Sequence, residues 1–219
     1  MFGSALLYSG LLLAAAGVLL TGAGLLLPAR ESRIEQPESQ LDRFMPRWQF
    51  HEVHTRHIDA PPDAVFAAVR QVRADEIRLF NLLTWIRRGG RSLPEGILNA
   101  GDREPLLDVA TRSGFVWLAN DPPRELVVGT AVMAPRGADK CIPPEAFHQP
   151  LPRGYVIAAM NFAVRPEGTG SRVTTETRVL ANSAYSKRRF TIYWRVIYPG
   201  SALIRRMWLR AIEKRALAP

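Results

Sequence analysis

The sequence predicts an α+β domain that follows an N-terminal membrane-spanning helix. Its elements occur in the order strand, two short helices, several antiparallel strands and one long C-terminal helix, which is the order of an α+β fold. The long helix is the clearest element, because apolar residues recur every three or four positions over residues 183–217. We expect three parts: an anchor at residues 1–28, a polar linker at residues 29–47 and the domain at residues 48–219.

The composition of the chain favours an anionic partner. Its 219 residues suffice for one domain and an extra segment. The formal net charge of +9 suits a membrane surface, a nucleic acid or an acidic ligand. The single cysteine, Cys141, excludes an internal disulfide, and with only 4 histidines a structural zinc site is not expected. We expect neither a metal nor another cofactor.

The first element is an uncharged run at residues 5–27. It is long enough to cross a bilayer core of about 30 Å as a helix. A cleaved signal peptide and a buried core helix are the alternatives, but no Lys or Arg precedes the run and it is apolar on every side. Arginines follow it, so the positive-inside rule predicts a single-pass membrane protein with a cytoplasmic C-terminal domain. These arginines are Arg30, Arg33, Arg43 and Arg47.

The next elements are a linker, a strand and two helices. Residues 28–46 are polar and hold three prolines, so we expect a linker that buries no core. Residues 48–58 alternate as a strand. A first helix starts at Pro61 and Pro62, where prolines suit the first turn, and a second extends from Arg73 to Gly89 and Gly90.

The second half of the domain is predicted as strands and the long helix. Residues 106–110 are interpreted as a short strand, and a long proline-rich loop is expected at 134–152. Two hairpins are predicted from strands at 114–119, 125–132, 155–164 and 172–180. Pro199 interrupts the long helix without changing its apolar phase, so we expect one kinked helix or two helices end to end.

Three local motifs resemble the SRPBCC or START-like superfamily. The run at 58–66, with Asp59-Ala60-Pro61-Pro62, looks like its first strand-to-helix junction, and the run at 175–179 looks like a segment of its last strand. The run at 190–212 is similar to the last helix of a bacterial branch related to polyketide cyclases and lipid-transport proteins. The resemblance covers residues 48–217 and implies the helix-grip fold. In that fold a curved antiparallel sheet wraps a long C-terminal helix and encloses an apolar cavity.

Together with the uncharged run at residues 5–27, such a cavity predicts a membrane-anchored domain that binds or transports a hydrophobic small molecule or lipid. The small residues Gly200, Ser201 and Ala202 leave room where the helix bends. We expect the cavity to be lined by one face of each strand and one side of the helix. The expected residues are Phe115, Trp117, Val128, Met160, Phe162, Thr175, Thr177, Trp194, Ser201, Ile204 and Trp208.

Two other functions remain open on the sequence. One is a cyclase or dehydratase that uses the same cavity, with Glu176 as the candidate acid or base. The alternative role for Glu176 is a structural ion pair. The other function is a structural or interaction domain whose cavity is filled by side chains.

The remaining charged groups suggest a surface rather than a catalytic centre. Arg206, Arg210 and Lys214 follow one side of the long helix, either as a solvated face or as a contact with anionic lipid. No nucleic-acid-binding motif is recognisable, so no nucleic acid is expected. Three histidines, His51, His54 and His57, alternate along a strand and therefore cannot bind one metal together.

Overall fold

The structure is a computed structural model that describes residues 29–92, 94–101 and 103–218. The anchor predicted at residues 1–28 lies outside the described residues. None of the helices in the described part combines the length and the hydropathy that a membrane span requires.

The described chain folds into strands and helices in the predicted α+β order. The strands are β1 (Ser32–Arg33), β2 (Arg47–Trp48), β3 (Phe50–Ile58), β4 (Val116–Asp121), β5 (Glu125–Met133), β6 (Val156–Glu167) and β7 (Gly170–Ala181). The α-helices are α1 (Gln40–Phe44), α2 (Pro62–Gln71), α3 (Phe80–Arg87), α4 (Leu106–Arg112) and α5 (Ala184–Ala216). Short 3-10 turns lie at Ala74–Glu76 and Pro144–Phe147.

Five strands form one antiparallel sheet in the order β3-β7-β6-β5-β4. The predicted hairpins β4–β5 and β6–β7 are both present. β3 is the first strand of the sheet along the chain, yet it pairs with the last one, β7. The first residue of β7 is Gly170. Glycine is required at this position because a Cβ would collide with the backbone carbonyl of Ile58 on β3. This arrangement is the one expected of a helix-grip fold.

The long helix α5 lies against one face of the sheet, which we call the inner face. Alternate residues of β6, such as Phe162 and Val164, share a core with Trp208 and Ile212 of α5 and with α2. The hydroxyl of Ser183 caps the helix by accepting a hydrogen bond from the Ser186 amide at 3.2 Å. The helix is continuous through Pro199, so the two-helix alternative does not apply.

Residues 106–110 form a helix instead of the predicted short strand. α4 buries Leu106, Leu107, Val109 and Ala110, which are spaced as on one side of a helix. A short apolar run fits either period, so the pattern alone cannot distinguish a strand from one helical turn. Pro105 fixes the start of this helix, since proline suits the position before its first turn.

The second predicted helix is divided in two. A 3-10 turn at Ala74–Glu76 is separated from α3 by Leu79, whose φ of 60° places it in the left-handed region. Such a backbone is unfavourable for leucine by about 1 kcal/mol. It turns the chain so that Phe80 and Thr84 of α3 are buried while its other side stays exposed.

Part of the predicted linker belongs to the domain. Leu41 and Met45 are 0% and 1% exposed and pack on the opposite, outer face of the sheet. The buried carboxylate of Glu125 accepts hydrogen bonds from the amides of Gln40 at 2.8 Å and Leu41 at 3.3 Å. It also accepts one from the Asn161 side chain at 2.7 Å. The expectation that residues 29–47 bury no core is therefore corrected.

An ion cluster holds the same segment to the outer face. The buried guanidinium of Arg178 lies 2.7 Å from Asp42 and 2.5 Å from Glu176. Burial alone would raise the pKa of the Asp42 carboxyl, but Arg178, Ser39 and neighbouring backbone amides together lower it. Arg178 also lies over the ring of Trp48, 4.1 Å from its centroid.

Candidate functional site

A cavity of about 580 Å³ lies between the inner face of the sheet and α5. We call it the inner cavity. Its floor is formed by β5, β6 and β7, where small side chains such as Ala158 and Thr130 leave space above the sheet. Its roof is formed by α5, and α3 closes one side. A cavity of this size suits one drug-sized apolar guest.

Many of the residues predicted to line the cavity do so. They are Phe115, Met160, Thr177, Trp194, Ser201, Ile204 and Trp208. Trp117, Val128, Phe162 and Thr175 lie beside it in the packed core instead. The reason is that the ring of Phe162 packs on Trp208, with 5.0 Å between centroids, and so fills that end. The cavity is consequently displaced towards the N-terminal half of α5, where Phe190 and Tyr193 line it.

Ser201 has a polar partner instead of marking an empty bend. Its hydroxyl donates a hydrogen bond to the carboxylate of Glu52 at 2.8 Å. Glu52 is buried, with only 3% of its surface exposed, and its carboxylate also contacts Nε2 of His54 at 2.9 Å. The carboxylate thus lies between the hydroxyl and the imidazole. In a catalytic triad the imidazole contacts the hydroxyl, so this trio is not arranged to activate Ser201 as a nucleophile.

Two arginines bring positive charge to the inner cavity. One guanidinium nitrogen of Arg205 contacts the sulfur of Met160, and another donates to the Thr177 hydroxyl at 3.2 Å. Arg87 donates to the Tyr193 hydroxyl from two nitrogens, at 2.7 and 3.1 Å. Burial lowers the pKa of Arg205 to about 10, the charge of Arg87 adds to this effect, and Glu52 opposes it.

Sequence reasoning missed both arginines. The signal for Arg205 was present, because it follows Ser201 by four positions and precedes Trp208 by three, on the inner side of the helix. Its neighbour Arg206 is exposed. The two arginines are adjacent in the sequence but about 100° apart around the helix, so Arg205 lines the cavity while Arg206 does not. Arg87 offered no such signal, since its position depends on how α3 packs against α5.

Glu176 does not reach the inner cavity. It lies on the outer face, where it is ion-paired with Arg178 and with His51 at 2.8 Å. Burial alone would raise the pKa of Glu176, but hydrogen bonds from His51 and Arg178 lower it. Among described residues the carboxylate that lines the cavity is Glu95, which lies 3.3 Å from Arg112. No group of three or more potential metal ligands occurs in the described part of the chain.

The side of α5 that faces away from the sheet is exposed along its whole length. We call these residues the outward stripe. They are Tyr185, Arg188, Arg189, Ile192, Val196, Pro199, Leu203, Arg206, Arg210 and Lys214. The stripe is apolar with two arginines in its first half and basic in its second half. The acidic residue of α5, Glu213, lies outside the stripe and pairs with Arg56 at 2.5 Å.

A second hollow of about 620 Å³ lies on the outer face. It is bounded by α1 and by the loop that carries His148 and Leu151. The charged residues Glu31, Arg43 and Arg47 also line it. The wall of the inner cavity, in contrast, carries many large apolar side chains, among them Phe190, Trp194 and Ile197, so it is the stronger candidate for a site that holds one apolar guest.

Comparisons with known proteins identify no family for this chain. No protein-family model matches it, and no curated protein matches it. It is similar to the solved structure of CalU16 from Micromonospora echinospora, at 16% identity, with 85% of this chain and 91% of that chain covered and a TM-score of 0.30. Protein MLL2253 from Mesorhizobium loti is 14% identical, with 75% and 98% covered and a TM-score of 0.36. TTHA0849 from Thermus thermophilus is 13% identical, with 77% and 97% covered and a TM-score of 0.30. These likenesses are too distant to carry an inference about what the chain does.

Proposed function

We propose that this chain is a membrane-tethered binding domain of the SRPBCC or START-like kind, which holds or transports an apolar small molecule or lipid. The observation that carries the proposal is the inner cavity itself, about 580 Å³ between α5 and the sheet. Its wall is mainly apolar and aromatic, with a few polar groups such as Thr177 and Arg205. Ligand sites use this combination to bind a guest and to orient it.

The reason for the tether is the uncharged run at residues 5–27. Ala29, two residues beyond that run, packs against the same core cluster as Tyr193 and Trp194, and Phe190 belongs to this cluster. The inner cavity uses the same three aromatic residues. A helix across the bilayer at 5–27 would therefore bring the cavity and the outward stripe close to the lipid. Apolar and basic residues together suit an anionic membrane surface, at about 1 kcal/mol for each nearby Lys or Arg.

The tether predicts a single span with the C-terminal domain in the cytoplasm. We expect protease added to intact cells that express the chain to spare a C-terminal tag, because the bilayer shields it. Permeabilised cells serve as the control, in which the tag is digested. Digestion in intact cells, or a mature N-terminus near Gly24, would contradict the proposed topology.

The cavity predicts that Ala158→Phe weakens ligand binding. Ala158 lines the inner cavity from β6, so a phenyl ring there occupies the space of the guest. We expect the Kd for a dansyl-labelled fatty acid to rise at least about tenfold, which is about 1.4 kcal/mol. Energy transfer from the protein tryptophans to the dansyl group reports binding to full-length protein in nanodiscs, with empty nanodiscs subtracted.

The matched control is Ala163→Phe on the same strand. Ala163 is absent from the cavity wall and its partner on β7 is Thr174. This variant should bind the labelled fatty acid as the unsubstituted protein does, and melting curves should show that both variants fold. Equal affinity in the two variants would favour a domain without a ligand in this cavity.

The cyclase or dehydratase alternative requires an acid or base at the cavity wall. The candidate Glu176 lies on the other face, and the carboxylate of Glu95 is engaged by Arg112. Glu52 and His54 lie nearby, but Glu52 is held by Ser201 and His54. Binding is therefore the better supported of the two functions.

A further inference from the structure

We propose that the guest of the inner cavity is an anionic amphiphile, whose negatively charged oxygens lie between the guanidinium groups of Arg87 and Arg205. This inference rests on the proposed binding function and names the class of ligand for the same cavity. The apolar body of the guest fills the space lined by residues such as Phe190, Trp194 and Ile197.

The first observation is that Arg205 lacks a charged partner. A guanidinium has five N–H donors. In the described structure those of Arg205 meet a thioether, Met160, and a hydroxyl, Thr177, and its face lies 5.5 Å from the ring centroid of Trp208. None of the ion pairs among the described residues includes Arg205. Arg205 is partly buried, and withdrawing a cation from water without an anion is unfavourable, which is why such charges are normally paired.

The nearest candidate anion within the protein is already engaged. Glu52 lies close enough to influence Arg205 electrostatically. Its two oxygens, however, contact the Ser201 hydroxyl at 2.8 Å and the His54 imidazole at 2.9 Å. The carboxylate thus reduces the cost of holding Arg205 in place while leaving the guanidinium donors available to a guest.

The second observation is that a like charge lines the same cavity. The hydrogen bonds of Arg87 go to the neutral phenol of Tyr193, so its charge is also not neutralised by a described carboxylate. Arg87 and Arg205 lie near enough for the charge of Arg87 to lower the pKa of Arg205. Lys140, from the loop between β5 and β6, adds a third positive charge at the wall. Two guanidinium groups at the wall of one cavity offer several charged N–H donors, which are the groups that bind a carboxylate or a phosphate.

The third observation is an unused neutral donor. Trp208 lines the cavity, and its buried indole N–H has no hydrogen-bond partner among the described residues. Buried donors are almost always satisfied in folded proteins. A guest that carries several acceptor oxygens would satisfy both arginines and this donor, whereas a hydrocarbon or an alcohol would not.

The experiment compares guests that differ only in the head group. Native mass spectrometry of the full chain in a neutral detergent measures binding of palmitic acid, 1-hexadecanol and 1-palmitoyl lysophosphatidic acid. We expect an anion to bind at least about tenfold more tightly than hexadecanol. The better of the two anions then identifies whether the natural group is a carboxylate or a phosphate.

The variants test whether Arg205 is the cause. Arg205→Met should remove the preference for anions while leaving hexadecanol binding within about twofold. Arg205→Lys should keep part of the preference, because the charge remains. Arg206→Met, the neighbouring exposed arginine, is the matched control and should bind all three guests as the unsubstituted protein does.

The outcomes separate the two proposals. Binding of both anions no more tightly than hexadecanol, or equal loss of all three guests in Arg205→Met, would overturn the anionic guest and leave the binding function in place. Failure of all three guests to bind would overturn both. A melting curve of ligand-free Arg205→Met provides a second readout: we expect it to melt at or above the temperature of the unsubstituted protein, because a buried charge has been removed.

Discussion

Replacing Trp208 with alanine is expected to lower the free energy of unfolding by about 3–5 kcal/mol. Trp208 is only 2% exposed, and its ring packs on that of Phe162 with 5.0 Å between the ring centroids. It joins α5 to the core that α2 and the sheet share. Small domains have only about 5–15 kcal/mol of stability, so the variant should melt many degrees lower. Thermal melting of the full chain in a neutral detergent, followed by circular dichroism, measures the change.

The matched control for Trp208→Ala is Trp85→Ala. Trp85 lies on α3 and is 51% exposed, so its removal should change the melting temperature little. Trp194 also lies on α5 but is only half-buried at the cavity wall, so Trp194→Ala should cost less than Trp208→Ala. A Trp208→Ala variant that melts like the unsubstituted protein would contradict the assignment of the inner side of α5.

Replacing Glu125 with alanine is expected to destabilise the protein by at least about 3 kcal/mol, because each buried donor left unsatisfied costs about 1–3 kcal/mol. The carboxylate serves the amides of Gln40 and Leu41 and the side chain of Asn161. Its negative charge also lies at the start of α1. The first backbone amides there have no hydrogen-bond partner within the helix, so they favour an anion. Loss of these contacts should release α1 from the outer face.

Limited proteolysis detects that release. The Glu125→Ala variant should be cut within residues 34–45 under conditions that leave the unsubstituted protein intact, and it should melt at a lower temperature. Glu145→Ala is the control, because Glu145 is exposed on a 3-10 turn and bonds nothing in α1. If Glu125→Ala resists protease as the unsubstituted protein does, Glu125 is not what holds the segment.

How much of the fold the sequence predicts depends on the strength of local periodicity. β6 and α5 are long and strongly patterned, so their positions follow from the residue spacing alone. α4 is too short for its period to be decided. α1 is held by Glu125 and Arg178, which are distant in the sequence, so nothing in its own polar composition indicates that it packs.

The candidate site depends on facts that a linear pattern does not contain. Thr177 was correctly assigned to the inner face because strand residues alternate. Phe162 was expected at the cavity wall, and it fills space against Trp208 instead, because which large rings meet depends on the register of helix and sheet. Arg87 enters the site only through the contact of α3 with Tyr193.

Pro199 divides α5 into two halves that bury different sets of residues. Proline has no amide hydrogen, so one regular backbone hydrogen bond is missing at this point of the helix. Beyond it Trp208, Leu209, Ala211 and Ile212 are buried, whereas before it the buried residues are Ser186, Phe190 and Thr191. We therefore expect the first half to detach transiently while the second stays packed. We expect guests to exchange at the pace of such local opening, about microseconds to seconds, without unfolding of the whole domain.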